Sequence, residues 1–108
     1  MHASIQAARD QRKQAEIERV QQACSPLLQG TNSTIYLFGS YATGSFSSLS
    51  DVDVLIVTDH EDAGRACAAQ LPGDTVVASA EEFEQRRGGS LFWRNVDREK
   101  EVICEYSE

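Results

Sequence analysis

The sequence predicts an α/β (α+β) fold, in which helices pack against a mixed sheet of about four strands. Four short runs rich in β-branched and apolar residues have the length of strands: 34–38, 52–57, 75–78 and 101–105. Segments with helical spacing separate these runs, and this alternation predicts a mixed or mainly parallel sheet covered by helices. The 108 residues, 41% of them hydrophobic, suit one core, so residues 1–108 are expected to form a single domain.

The first element is expected to be a helix over residues 3–24. Ile17, Val20 and Cys24 recur at the spacing that places side chains on one face of a helix. Pro26 has no amide hydrogen, so it is expected to end or bend this helix near Cys24. The strand-forming part of the chain should therefore begin after this point.

The first strand is expected at 34–38, and the segment that follows it, 39–50, is rich in Gly, Ser and Thr. A short helix is expected within that segment, at 41–43. The run 52–57 gives the strongest strand signal of the chain, because it is apolar on both faces beyond its acidic start. A strand of this kind is typical of the middle of a sheet.

The second half of the chain contains clear start and stop signals. Ser79 is followed three residues later by Glu82, which is the capping box typical of a helix start, and Gly88-Gly89 interrupts the helix that follows. In chain order the expected elements are a helix over 61–70, a strand over 75–78, a helix from 79 to about 87, a helical turn over 90–95 and a strand over 101–105.

The charge balance limits the classes of partner. The chain has 10 basic and 17 acidic residues and a formal net charge of −7. A surface of this sign repels a phosphate backbone, so a nucleic-acid substrate is disfavoured. Carboxylates that bind a metal ion would add to this acidic total, so the charge is compatible with such a site.

The cysteines and the absence of long apolar stretches indicate the compartment. Cys24, Cys67 and Cys104 are widely separated and have neither zinc-binding nor paired disulfide spacing. No stretch approaches the length needed to span a bilayer, and the N-terminus has no apolar leader core. We therefore expect reduced thiols and a soluble, cytoplasmic protein that is not bound to a membrane.

Two carboxylates begin the strongest strand. Asp51 and Asp53 are two positions apart, and side chains two apart in a strand lie on the same face. Two like charges so close are unfavourable unless a cation lies between them, and oxygen ligands of this type suit Mg²⁺. An isolated Asp-x-Asp pair more often marks the exposed start of a strand, and the pair alone leaves that alternative open.

Gly39 and Ser40 follow the first strand directly. A glycine there allows close backbone approach or a positive φ, and the amides of the following turn can then point at a phosphate oxygen. The alternative is an ordinary strand-to-helix turn. A P-loop is excluded because Ser45 occupies the position of its lysine, and no Gly-x-Ser-x-Gly nucleophile elbow is present.

Asp74 opens the third strand. If this strand lies beside the one that begins near Asp51, the Asp74 carboxylate can reach the same metal ion or a substrate hydroxyl. The alternative is a turn aspartate, because Pro72-Gly73-Asp74 has a composition common in turns. The residues themselves favour the two interpretations about equally.

Two segments together resemble the polymerase-β-like nucleotidyltransferase superfamily. They are Leu37-Phe38-Gly39-Ser40 and the later run Ser-Asp-Val-Asp-Val-Leu-Ile-Val at residues 50–57. The chain is most similar to its minimal nucleotidyltransferase (MNT) type, and the resemblance covers nearly the whole chain. The resemblance implies the palm fold of that superfamily. It also implies that Gly39 and Ser40 hold the triphosphate of ATP, and that the metal-binding and catalytic residues for two Mg²⁺ ions are Asp51, Asp53 and Asp74. Thr43 departs from the family pattern, which often has arginine in this segment.

The same resemblance implies a protein partner. Small members of the family commonly pair with a HEPN-domain toxin as its antitoxin, and they can transfer AMP from ATP to a tyrosine of the toxin. A hetero-oligomer with such a toxin is the corresponding expectation. Two alternatives stay open from the sequence: transfer to a small molecule, and a catalytically inert module that neutralises a partner by binding alone.

Overall fold

The computed structural model describes residues 2–47 and 49–108, with side chains from residue 5 onward. The elements in chain order are α1 (His2–Leu28), β1 (Ser33–Phe38), α2 (Ser40–Thr43), β2 (Asp53–Thr58), α3 (Glu61–Ala69), β3 (Thr75–Ala78), α4 (Ala80–Arg86), α5 (Leu91–Glu99) and β4 (Glu101–Tyr106). All four predicted strands are present, and their bounds differ from the predicted ones by one residue at most.

The four strands form one mixed sheet in the order β3-β2-β1-β4, which confirms the predicted fold class. β1 pairs antiparallel with both β2 and β4, and β2 pairs parallel with β3. The sheet is thus less parallel than the alternation of helices and strands indicates. The physical reason is that only α3 serves as the crossover between two adjacent strands, because α2 has four residues and is too short to return the chain to the far end of the sheet.

Side chains alternate between the two faces of the sheet, and each face has its own core. On one face α1 and α3 pack on the sheet through Val20, Leu28, Leu37, Ile56 and Cys67. On the other face α4 and α5 cover a smaller cluster, which consists of Phe38, Leu55, Phe83 and Val96. Leu55, Ile56, Cys24 and Leu28 are completely buried, so the strongest strand is covered on both sides as its composition predicts.

Helix α1 does not end near Cys24, which was one of the two effects predicted for Pro26, because the helix continues to Leu28. Pro26 is exposed, whereas Cys24 and Leu28 on the opposite face are fully buried. One further turn brings Leu28 into the core, and burying a leucine contributes about 1.5–3 kcal/mol. That gain offsets most of the roughly 3 kcal/mol cost of an interior proline, so the helix ends one turn later than expected.

Two helices near the C-terminus begin at serine caps. Ser79 accepts a hydrogen bond from the Glu82 amide at 3.0 Å, and the Glu82 carboxylate accepts one from the Ser79 amide at 3.3 Å, so the predicted capping box is present. Ser90 caps α5 by accepting from the Trp93 amide. α5 is longer than the predicted helical turn, since burial of Val96 under the sheet stabilises a second half of the helix. Among the described helices, none has both the length and the apolarity needed to cross a membrane.

Candidate active site

Three of the predicted residues meet at one end of the sheet. Phe38, the last residue of β1, lies directly opposite Asp53, the first residue of β2, so Gly39 follows immediately beside Asp53. On the other side of β2, Val54 pairs with Thr75, and the Val54 amide donates a hydrogen bond to the Asp74 carbonyl at 3.1 Å. The parallel pairing therefore places Asp74 next to Asp53, and the antiparallel pairing places Gly39 there.

Gly39 lies against the Asp53 carboxylate. Its φ is +73°, and a Cβ atom at this position would be 2.2 Å from Oδ2 of Asp53. A side chain is therefore excluded by backbone strain and by the space available. Ser40 begins α2 and is half-buried, and the Gly39 carbonyl accepts hydrogen bonds from the Ala42 and Thr43 amides. The turn thus holds the main chain of Gly39 at the carboxylate.

Asp51 precedes β2 and is exposed, whereas Asp53 is half-buried. Val52, which lies between the two aspartates, is buried in the core under α1 and α3. Its side chain therefore points to the face of the sheet opposite to the one covered by α4 and α5. Gly73 packs beneath this segment, because a Cβ atom there would be 2.4 Å from the Val52 carbonyl oxygen and 3.2 Å from Cβ of Asp51. The glycine before Asp74 allows the two chain segments to approach each other.

The electrostatics of Asp53 reflect this crowding. Burial raises the pKa of the Asp53 carboxyl above its ordinary value, and the charges of Asp74, Asp51 and Glu99 raise it further. The charged form is therefore disfavoured at this end of the sheet unless a cation is present. A half-buried carboxylate with further carboxylates beside it supplies the hard oxygen donors that fit Mg²⁺.

The carboxylates are neighbours but are not yet arranged around a common point. In the described part of the chain, no three His, Cys, Asp or Glu side chains are close enough to hold a metal ion as they stand. Mg²⁺ in proteins commonly takes one or two carboxylates and completes its coordination with water and substrate phosphates. Asp53 with one neighbour meets that requirement, so the residues present fit the ion.

Glu99 is a fourth acidic residue at this end, and it is not among the site residues that the sequence predicts. It is the last residue of α5, forms a 3.7 Å ion pair with Arg98, and lies just before β4, which begins beside Leu37. The predicted helical turn ended at residue 95, so nothing in the sequence placed Glu99 near the strand that carries Asp53. Only the topology of β4, paired with β1 at the sheet edge, brings it there.

α1 also contributes to this end of the molecule. Arg9 donates a hydrogen bond to the Gly44 carbonyl at 2.6 Å, and its guanidinium lies 4.2 Å from the centre of the Phe46 ring. A groove of about 360 Å³ runs between α1 and the end of α2, with Arg9, Lys13 and Thr43 in its wall. α1 thus brings positive charge to the segment that contains Thr43.

A second cavity lies away from these residues. It has a volume of about 520 Å³ and is lined by Thr31 and residues 59–63. Asp59 follows the end of β2 that is opposite to Asp53, so this cavity is at the far end of the sheet. None of the sequence-predicted site residues lines it. The larger of these two cavities is thus not at the end of the sheet where the candidate catalytic residues lie.

A mixed sheet with a glycine turn and acidic strand starts at one end is the arrangement expected of a nucleotidyl-transferring palm. Residues 17–103 match the model of the nucleotidyltransferase domain. Because the match covers most of the chain, the protein belongs to the nucleotidyltransferase domain family. No curated protein matches the sequence significantly.

Two solved structures are similar to this fold. One is a protein of Sulfolobus solfataricus assigned to the nucleotidyltransferases, with 19% identity and a TM-score of 0.57; the match covers 92% of the present chain and 85% of that chain. The other is a toxin–antitoxin structure with AMP-PNP, with 18% identity and a TM-score of 0.52 over 82% of the present chain and 73% of that chain. At these identities the likeness establishes the fold.

Proposed function

We propose that this nucleotidyltransferase is Mg²⁺-dependent and transfers AMP from ATP to a hydroxyl group on a protein partner. The observation that carries the proposal is the position of Asp53, which lies against Gly39 on one side and beside Asp74 on the other. A glycine turn for phosphates and a charged carboxylate cluster are needed together when a nucleotide must be held and its charge neutralised.

The predicted residues would divide two tasks in this reaction between them. The Gly39 main chain and the Ser40 hydroxyl would contact the triphosphate, and Asp51, Asp53 and Asp74 would hold Mg²⁺. The bound ions would neutralise phosphate charge and lower the pKa of the attacking hydroxyl. The acceptor oxygen forms a bond to the α-phosphorus, the bond to the pyrophosphate oxygen breaks, and the acceptor proton leaves to solvent. Positioning supplies most of the rate enhancement.

The acceptor we propose is a tyrosine of a HEPN toxin, with the present protein as its antitoxin in the cytoplasm. Support comes from the similar structure of a toxin–antitoxin with AMP-PNP and from the resemblance of the sequence to minimal nucleotidyltransferases. The net charge of −7 favours a basic protein surface over nucleic acid as the binding partner. The free cysteines of the described chain agree with a reducing compartment.

A transfer assay with the partner present tests the proposal. The protein is incubated with α-labelled ATP, Mg²⁺ and a co-expressed HEPN partner, and label on each chain is measured. Asp53→Asn keeps the side-chain volume but removes the ligand charge, so transfer should fall by at least about 100-fold. Asp62→Asn is the matched control, because Asp62 is an exposed aspartate of α3 that lies outside the site.

The outcomes separate the alternatives left open by the sequence. Label on the partner, lost in Asp53→Asn and retained in Asp62→Asn, supports the proposal. Label on an added small molecule but never on the partner supports transfer to a small molecule. A stable complex without label on any acceptor supports the inert binding module. Full activity of Asp53→Asn would overturn the assignment of the site.

A further inference from the structure

Phe92 is the one exposed aromatic side chain of this protein. All eight Phe, Tyr and Trp residues lie in the described part of the chain, and the other seven are buried or half-buried. The Phe92 side chain, by contrast, is 49% exposed. A large aromatic ring contributes most when it is buried, so an exposed one beside a candidate active site suggests contact with a ligand.

The Phe92 ring is held in place from within the protein. It lies edge to face with Phe38, with ring centres 6.0 Å apart and planes at 90°, and edge to face with Trp93 at 5.5 Å and 87°. The Ser90 cap fixes the start of α5 two residues earlier. A ring supported on two sides loses little conformational freedom when a ligand covers its open surface.

The supporting residue connects Phe92 to the reaction site. Phe38 is directly opposite Asp53, and opposite residues in antiparallel strands have Cα atoms about 4.5–5.5 Å apart. Phe38 is also the residue before Gly39. A group lying on Phe92 would therefore be one aromatic ring away from both the carboxylates and the glycine turn.

We propose that Phe92 is the platform on which the base of the nucleoside triphosphate stacks. This inference rests on the proposed function, since it assumes that the triphosphate lies at Gly39 and Ser40. Charge and main-chain amides hold the phosphates, but a neutral aromatic base needs an apolar or π surface. Phe92 is the exposed aromatic that the described chain offers at this end of the sheet.

A protein partner is a less suitable occupant of this surface. The exposed apolar residue next to Phe92 is Leu91, at 66% exposure. Two neighbouring side chains supply only a small part of the about 800 Å² per partner that a standard protein interface buries. The size of a single ring face matches one base.

A phenyl ring has no hydrogen-bonding group with which to read the edge of a base. Stacking on aromatic side chains tolerates every base, because each has a π face. The platform therefore predicts that ATP and GTP bind with similar affinity and that a larger purine binds better than a pyrimidine. Inorganic tripolyphosphate should bind through the turn and the carboxylates alone.

The test measures the affinities of ATP and of tripolyphosphate, each with Mg²⁺, by calorimetry on the full-length protein. Phe92→Ala should weaken ATP binding by about 5- to 150-fold and leave tripolyphosphate binding unchanged. Phe92→Leu keeps bulk against Phe38 but has no π face, so it should resemble Phe92→Ala. Phe92→Trp should retain the wild-type affinity for ATP. Leu91→Ala is the matched control and should bind ATP as the wild type does.

Four results would overturn the inference. Wild-type ATP affinity in both Phe92→Ala and Phe92→Leu would show that no base lies on the ring. Equal loss of ATP and tripolyphosphate affinity would show that Phe92 only shapes the phosphate site. If Phe92→Ala keeps the wild-type affinity for ATP but no longer binds the co-expressed HEPN partner, the surface around Phe92 binds a protein. A wild-type protein that binds neither ATP nor tripolyphosphate would overturn the proposed function as well, which distinguishes the two failures.

Discussion

Gly39 and Asp53 lie so close together that a Cβ atom on the glycine would be 2.2 Å from Oδ2 of the aspartate. The pairing of β1 with β2 creates this contact, because it sets Phe38 opposite Asp53 and leaves the next residue to pass over the carboxylate. The candidate phosphate turn and the candidate metal ligand are therefore one structural unit. A change at either residue acts on both.

Gly39→Ala should abolish nucleotide transfer and destabilise the fold. The φ of +73° and the contact with Asp53 each disfavour a side chain, and together they should lower the free energy of unfolding by about 2–4 kcal/mol. Gly44→Ala is the control, since Gly44 has a φ of +85° but no atom within 4 Å of its Cβ position. The free energy of unfolding of Gly44→Ala should fall by only about 1 kcal/mol, and this variant should remain active. Urea denaturation and the transfer assay measure the two effects, and equal behaviour of the variants would contradict the importance of the contact.

Asp53→Asn should stabilise the protein at neutral pH when no divalent cation is present. Burial and the neighbouring carboxylates raise the pKa of Asp53 above 3.8, so the folded state binds this proton more tightly than the unfolded chain. The contribution of Asp53 to the free energy of unfolding is thus full below pH 3.8 and falls as the pH rises through the raised pKa. Urea denaturation between pH 3 and pH 8 measures this effect. The free energy of unfolding of Asp53→Asn should rise relative to that of the wild type as the pH increases. A variant less stable than the wild type at neutral pH would contradict the prediction.

Much of this end of the molecule follows from the sequence. Strand periodicity predicts Asp51 and Asp53 on one face, and the structure begins β2 at Asp53 and buries Val52 between the two aspartates. The parallel pairing of β2 with β3 meets the condition on which the predicted position of Asp74 depends, a condition that the sequence left open. Such local patterns are set by alternation and turn chemistry, which a single sequence contains.

Other features depend on contacts between distant segments and are not visible in local patterns. Pro26 predicts a helix end, but the burial of Leu28 against the sheet extends α1 past it. Glu99 reaches the site because β4 joins the sheet beside β1, at an edge that no periodicity specifies. Arg9 reaches Gly44 only because α1 crosses that end of the molecule. Tertiary packing decides each of these cases.

Mg²⁺ together with ATP should stabilise the wild-type protein more than either does alone. A ligand at about 100 times its Kd raises the free energy of unfolding by about 2.7 kcal/mol. Asp74→Asn removes one of the carboxylates near Asp53 and should reduce this gain, and EDTA should cancel it. Thermal denaturation with each combination of ligand and variant measures the effect. A gain from ATP that is the same with Mg²⁺ and with EDTA would count against a metal site at these carboxylates.

Gly73→Ala should reduce activity through the position of Asp51 and Asp74. A Cβ atom at Gly73 would be 2.4 Å from the Val52 carbonyl oxygen, and the φ of +113° is one that L-residues rarely adopt. The segment must therefore move away from β2, which separates Asp74 from its neighbours and should cost about 1–3 kcal/mol of stability. Gly88→Ala is the control, since a Cβ atom at Gly88 would have nothing within 4 Å. The decisive measurement is the Mg²⁺ concentration at half-maximal transfer, which should rise in Gly73→Ala and stay at the wild-type value in Gly88→Ala. If Gly73→Ala loses stability but keeps that midpoint, the close approach of the two segments serves folding alone.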